Sequence, residues 1–198
     1  MKSMHIDCSM GAAGDMLTAA LLELLPENEQ KGFIDVFNAL EIPGVVMEAE
    51  PSVKCGVSGT LVRMKVHGEE EGHTHHGHDM YSHAHRHMED IEHIINGLDV
   101  SAKVRADILN VYKIIADAES KAHGVPVAEV HFHEVGAMDA VADITAACML
   151  MDRIGADLVT ASSVNVGAAL LKALTEYFLY RLRQQRTSLK VSLITRET

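Results

Sequence analysis

Met4-His5-Ile6-Asp7-Cys8-Ser9-Met10-Gly11-Ala12-Ala13-Gly14-Asp15-Met16-Leu17-Thr18-Ala19-Ala20-Leu21-Leu22-Glu23-Leu24-Leu25 reads as strand, glycine loop and helix in succession. Met4 to Cys8 is short and alternating, the period of a half-buried strand. Ser9 to Gly14 makes the turn, and Asp15 to Leu25 is rich in helix formers until Pro26 stops it. A glycine turn entering a helix N-terminus offers free N–H groups to a phosphate or carboxylate, and Gly11 and Gly14 let a ligand approach the backbone closely. The spacing fits neither the Walker pattern nor the dinucleotide fingerprint. A simple tight turn, with Asp15 as a first-turn carboxylate, accounts for it equally well.

Outward from this unit, Glu29 to Leu40 carries Phe33, Val36, Phe37 and Leu40 at helical spacing. Val45 to Val66 is rich in Val and Thr and predicts two or three strands. His87 to Ile95 and Ser101 to His123 have helical periodicity, with stops at Gly97 and Gly124. Val127 to His133 reads as extended, Ala137 to Ile154 as a long apolar helix ended by Gly155, and Leu158 to Val166 as a strand. The fold class expected is α/β or α+β, a mixed sheet flanked by helices.

His73-Thr74-His75-His76-Gly77-His78-Asp79-Met80-Tyr81-Ser82-His83-Ala84-His85-Arg86-His87 interrupts this pattern with seven imidazoles in fifteen residues. Neutral imidazole is a borderline-soft donor suited to nickel, zinc, copper and cobalt, so His73, His75, His76, His78, His83, His85 and His87 are candidate metal ligands. With Glu69-Glu70-Glu71 before it, the segment buries too little apolar area to offset its ordering entropy and is expected to be disordered without metal. The expected division is 1–68 as an N-terminal αβ segment, 69–87 as the insertion, 88–167 as the rest of the same domain, and 168–198 as a distinct tail. A solubilising linker is the plainer reading of the insertion.

The 198 residues are 47% hydrophobic and 23% charged, ordinary globular composition with room for a sizeable core. A formal charge of -11 argues against a nucleic-acid partner and favours cations. Cys8, Cys55 and Cys148 show no paired spacing, which predicts neither a disulfide framework nor a thiolate zinc site and fits a reducing cytoplasm. Cys8 reads as a small core residue at a strand end and the methionines as core filling. No stretch reaches the ~18 uncharged residues of a membrane span, so no membrane partner is expected.

In His131-Phe132-His133-Glu134 a strand would project both imidazoles from one face. Asp139 and Asp143, four apart on the following helix, share a face near its positive end. The alternative is that Phe132 is core while His131 and His133 lie at the surface.

The stretches Asp7-Cys8-Ser9-Met10-Gly11-Ala12-Ala13-Gly14-Asp15-Met16 and His131-Phe132-His133-Glu134-Val135-Gly136-Ala137-Met138-Asp139-Ala140-Val141-Ala142-Asp143-Ile144 resemble the LarC nickel-insertion family. The histidine-rich insertion between them has the same order, and the resemblance covers residues 1 to about 167, the N-terminal part of that family's chain. It implies CTP-dependent insertion of nickel into pyridinium-3,5-bisthiocarboxylic acid mononucleotide, giving the nickel-pincer nucleotide of lactate racemase, with a divalent cation accompanying CTP. It implies His131 and His133 as nickel ligands and Glu134 or Asp15 as the base at the pyridinium carbon. Asp139 joins them as a third candidate catalytic carboxylate, with Gly11 and Gly14 facing the nucleotide. Homo-oligomerisation is left open.

After Ser163-Val164-Asn165-Val166-Gly167 the family expects a His-Gly-(hydrophobic)-Leu-Pro-Val-Pro-Ala-Pro-Ala-Thr stretch and a further domain; this chain instead runs through the basic segment Ala168 to Thr198. Read one base upstream with suitable wobble bases, Ala168 to Leu171 gives Ser-Gly-Thr-Val. Leu174 to Arg186 gives Thr-His-Gly-Ile-Leu-Pro-Val-Pro-Ala-Pro-Ala-Thr-Ala. The tail is therefore expected to be out-of-frame translation, with a minus-one slip near Gly167 needed for the separately framed C-terminal part. An unselected tail should pack poorly. A nickel storage or delivery protein and a zinc hydrolase are the competing functions, the latter without a His-Glu-x-x-His spacing to support it.

Overall fold

A computed structural model describes residues 1–54, 56–70, 86–132, 136–165 and 190–195. The strand–turn–helix unit forms as its pattern predicts: β1 (Lys2–Asp7) buries Met4, and α1 (Gly14–Leu22) buries Thr18 through Leu22. Beyond Leu22 the chain tightens through Leu24 N–H to the Leu21 carbonyl and Leu25 N–H to the Leu22 carbonyl. Pro26, extended and without an N–H to lose, then caps α2 (Glu27–Asn38), whose Phe33 and Phe37 stack with centroids 6.4 Å apart. Asn38 anchors the next element, donating from Nδ2 to the Met47 carbonyl (3.0 Å) and accepting the Met47 N–H (2.8 Å).

β2 (Val45–Lys54) and β3 (Val57–Val66) form an antiparallel hairpin with Met47 opposite Met64, both buried, and β4 (Glu69–Glu70) extends it. After the insertion come α3 (Met88–Gly97) and α4 (Ala102–His123). Ser101 caps α4 by accepting the Val104 N–H, and Gly124 at φ 69° closes it in the left-handed region that ends many helices. The Arg105 guanidinium donates to the carbonyls of Ile95, Asn96, Leu98 and Val100, fixing the turn between the two helices. α5 (Met138–Ile154) ends at Gly155, and β5 (Leu158–Ala161) pairs in parallel with β1.

The result is mixed α/β with two small sheets rather than one: a mixed sheet in the order β5, β1, β6, where β6 is Lys190–Thr195, and a separate antiparallel sheet β2, β3, β4. α1 packs on α5 and on β3, joining the sheets, and α5 in turn packs on α4. Leu21, Ile91, Ile95, Ile108, Tyr112, Phe132, Val141 and Leu150 are buried in one core, to which both sides of the histidine insertion contribute. No described helix is long and apolar enough to cross a membrane.

Three expectations need correction. Val127 to His133 is not a strand: Pro126 starts a 3-10 turn over Val127–Glu129, closed by Glu129 N–H to the Pro126 carbonyl (2.8 Å), and only Phe132 makes an isolated antiparallel bridge, to Arg86. Among the described residues the strand from Leu158 stops at Ala161, although Ser162 N–H still donates to the Ile6 carbonyl (2.9 Å). The tail is not wholly unpacked, since Lys190 to Thr195 pairs antiparallel with Asp7 to Lys2 along the whole of β1. A β-branched, alternating segment can add to an open strand edge through backbone bonds alone. The segment from 71 to 85 and the tail from 166 to 189, with the readings placed on them, lie outside the described residues.

Candidate metal and nucleotide site

α5 organises the site from its N-terminal end. Asp139 lies in its first turn and Asp143 one turn later, about 5–6 Å along the same face. Asp143 lies against Gly14, the first residue of α1: a Cβ built there would sit 2.7 Å from the Asp143 Cγ, so only glycine admits the carboxylate. A negative group beside a helix N-terminus is favoured by the helix dipole and the open N–H groups there. The close approach that Gly14 permits is thus used by a carboxylate of the protein itself, and Asp15 follows in the same first turn, its Oδ1 accepting the Met16 N–H at 2.8 Å.

The turn leading into α1 is held from behind. Gly11, at φ 95°, donates to the Cys8 carbonyl (2.9 Å), and Asn165 donates to the same carbonyl from its backbone (3.1 Å) and to the Ser9 carbonyl from Nδ2 (3.0 Å). Ser162 Oγ accepts the Cys8 N–H at 2.8 Å, and Cys8 is buried, in keeping with a core role. Ser162 and Asn165 escaped the sequence reading because they precede the turn only in space; their signal is a polar cluster directly after a short strand. His5 is exposed on β1, with Nδ1 3.0 Å from Thr160 Oγ1.

His87 and His131 meet with their ring centroids 4.2 Å apart and tilted by 56°. Both are exposed, whereas Phe132 between the motif histidines is fully buried, meeting Tyr112 edge-on at 5.8 Å. His87 is fixed at the start of α3, where its N–H donates to Asp90 Oδ2 (2.9 Å). Arg86 secures the approach: its carbonyl accepts the Phe132 N–H (3.0 Å) and its Nη1 donates to the Gly136 carbonyl (2.6 Å). One residue of the histidine run therefore grips both flanks of 133–135. Arg86 was not among the sequence candidates, although it is the lone guanidinium in that run.

Burial pushes the Tyr112 phenol well above the ordinary range, the negative charge of Asp139 adds to this, and Arg86 opposes it. The structure thus brings His87 beside His131 and ties Arg86 to Gly136 just ahead of α5, and it sets Gly14, which Asp15 follows, against Asp143. His73, His75, His76, His78, His83, His85, His133 and Glu134 lie outside the described residues. Among the described residues no group of three or more His, Cys, Asp or Glu is close enough to hold a metal ion.

The family model described as nickel insertion protein matches residues 4–176. A relative from Clostridium kluyveri is 40% identical over 176 residues, 87% of this chain and 43% of the relative. One from Akkermansia muciniphila is 36% identical over 169 residues (85% and 40%), and one from Geobacillus kaustophilus 34% over 168 (84% and 39%). All three are named pyridinium-3,5-bisthiocarboxylic acid mononucleotide nickel insertion protein, and the chain spans about two fifths of their length. No solved structure matches. A match over residues 4–176, most of the chain, assigns it to the nickel insertion protein family.

Proposed function

We propose that this chain is the nickel-handling N-terminal part of an enzyme that inserts nickel into pyridinium-3,5-bisthiocarboxylic acid mononucleotide to form the nickel-pincer nucleotide. The observation that supports this reading is the meeting of His87, the last imidazole of the histidine run, with His131, the first of the His131-Phe132-His133 motif, 4.2 Å apart between ring centroids. That contact sets the last histidine of the collecting run beside His131, which in this reading holds the ion together with His133. Labile imidazole ligation suits handover, because the acceptor is a pair of thiocarboxylate sulfurs, softer donors than nitrogen.

Nickel is the cargo of this reaction. Forming its bond to a ring carbon requires that carbon to lose a proton, and a carboxylate can take the proton without holding nickel irreversibly. Asp15 or Glu134 serves as that base, with Asp139 in the first turn of α5 as a further carboxylate. Gly11 presents the turn to the nucleotide, while the approach that Gly14 permits is taken by the Asp143 carboxylate. CTP with a divalent cation acts through the remaining part of the family's polypeptide, which the shifted frame beyond Gly167 encodes, and the site of action is the cytoplasm.

Incubating the chain with that remaining part, the substrate, nickel and CTP tests the reading. Metallated nucleotide should appear, detected by its mass and absorbance, and should fall with His131→Ala. Nickel binding without product would instead make the chain a storage or delivery protein.

A further inference from the structure

Arg86 joins the end of the histidine run to the His131 motif through three separate contacts. Its carbonyl accepts the Phe132 N–H at 3.0 Å in an isolated antiparallel bridge, and its Nη1 donates to the Gly136 carbonyl at 2.6 Å. The third contact is steric. Gly136 is buried, and a Cβ built there would lie 2.8 Å from the Phe132 Cβ and 3.5 Å from the Arg86 Cβ, so residues 86, 132 and 136 converge on a space that only glycine fits.

The bridge sets what faces what. In an antiparallel pair the residue after one partner lies opposite the residue before the other, so pairing Arg86 with Phe132 puts His87 opposite His131. His87 is still extended (φ -86°, ψ 166°), which carries the pairing geometry one residue further before α3 begins, and the two rings meet. Side chains alternate along extended backbone, so burying Phe132 turns both imidazoles to the exposed side. Among the described residues a single backbone hydrogen bond carries this bridge, and a slip of one residue would exchange its faces. The guanidinium supplies a second tie, from the same residue to the chain beyond Phe132. Arginine has no lone pair to offer a metal and stays charged, so its place at the end of the run is not that of a ligand.

We propose that Arg86 is a positioning residue for the nickel site: its guanidinium, bound to the Gly136 carbonyl, locks the register that holds His131 across from His87. This rests on the reading of the histidine pair as part of the nickel-handling site.

Two measurements on the 198-residue chain test it, one without metal and one with nickel alone. With His87→Cys and His131→Cys introduced together, the rate of disulfide formation between positions 87 and 131 is followed by peptide mass. It should fall by at least about tenfold when Arg86→Met removes the donor and keeps the apolar stem, because a disulfide tolerates little error in geometry. Arg86→Lys, which keeps a charged N–H donor for that single bond, should restore most of the rate. With both histidines in place, Arg86→Met should weaken the tight nickel site by at least about tenfold, as loss of an outer support does at other metal sites, and Arg86→Lys should again restore most of it. In a His87→Ala background the same Arg86→Met substitution should cost no further affinity, a result that a general loss of stability would not give. Gly136→Ala disturbs the same contact from the other side and should reproduce both effects, so the test does not hang on the folding of one variant. An unchanged disulfide rate, an unchanged affinity in a chain that binds nickel, or an equal loss with and without His87 overturns the proposal. A parental chain that binds no nickel overturns the proposed function, and the disulfide rates then decide whether Arg86 sets the pair.

Discussion

The rings of His87 and His131 stand 4.2 Å apart between centroids, although forty-odd residues of sequence and a two-helix hairpin separate them. The bridge between Arg86 and Phe132 sets this distance, because Phe132 is buried against Tyr112 and its neighbour His131 has nowhere to go but the surface beside α3.

Removing either imidazole should therefore weaken one and the same nickel site. His87→Ala and His131→Ala are each expected to lower affinity at the tight site by at least about tenfold, and the double variant should cost less than the product of the two. Competition with a chromogenic chelator measures this. Independent effects would show that the two rings serve different ions.

Gly14→Ala should destabilise the chain by about 1–3 kcal/mol, because the new Cβ meets the Asp143 carboxylate and one element must shift. Adding Asp143→Ala should recover part of that loss. Urea unfolding of the three variants and the parent gives the coupling directly, and equal losses with and without Asp143 would place the strain elsewhere.

Phe132→Ala should cost about 3–5 kcal/mol, as for other fully buried aromatic rings, and should also disperse the histidine pair it supports. Its nickel affinity should fall even at temperatures where the variant is folded by circular dichroism. A stable variant with unchanged affinity would separate the core from the site.

Stability should decline in alkali. Burial pushes the Cys148 thiol from 9.0 up to about 11, with Asp107 adding to the shift and Lys103 opposing it. The folded chain favours the neutral thiol, so this contribution is complete below about pH 9 and is lost as pH rises through about 11. The urea midpoint should fall across that window, and less steeply in Cys148→Ala; Tyr112, also held neutral by burial, acts in the same direction.

Local pattern carried most of the fold. The helices at α1, α2, α3, α4 and α5 were legible because apolar spacing, Pro26, Ser101, Gly124 and Gly155 all point the same way. The stretch at Val127 was misread because Pro126 and Phe132 mimic an extended segment, whereas the 3-10 turn is decided by Pro126's carbonyl. The division into two sheets depends on α1 packing between α5 and β3, a long-range choice that no window of sequence contains. Of the candidate site, the imidazoles and carboxylates stand out in sequence but which of them meet does not: Arg86 acts through one backbone bridge and one side-chain bond, to Phe132 and Gly136, that only the folded chain brings together.

The most direct measurement is a calorimetric nickel titration at neutral pH in chelator-free buffer, on the intact chain and on one lacking 73–85 but keeping Arg86 and His87. The account predicts several equivalents for the intact chain, and loss of most of them on deletion with one tight site retained and then abolished by His131→Ala. An intact chain that takes up no appreciable nickel would contradict it.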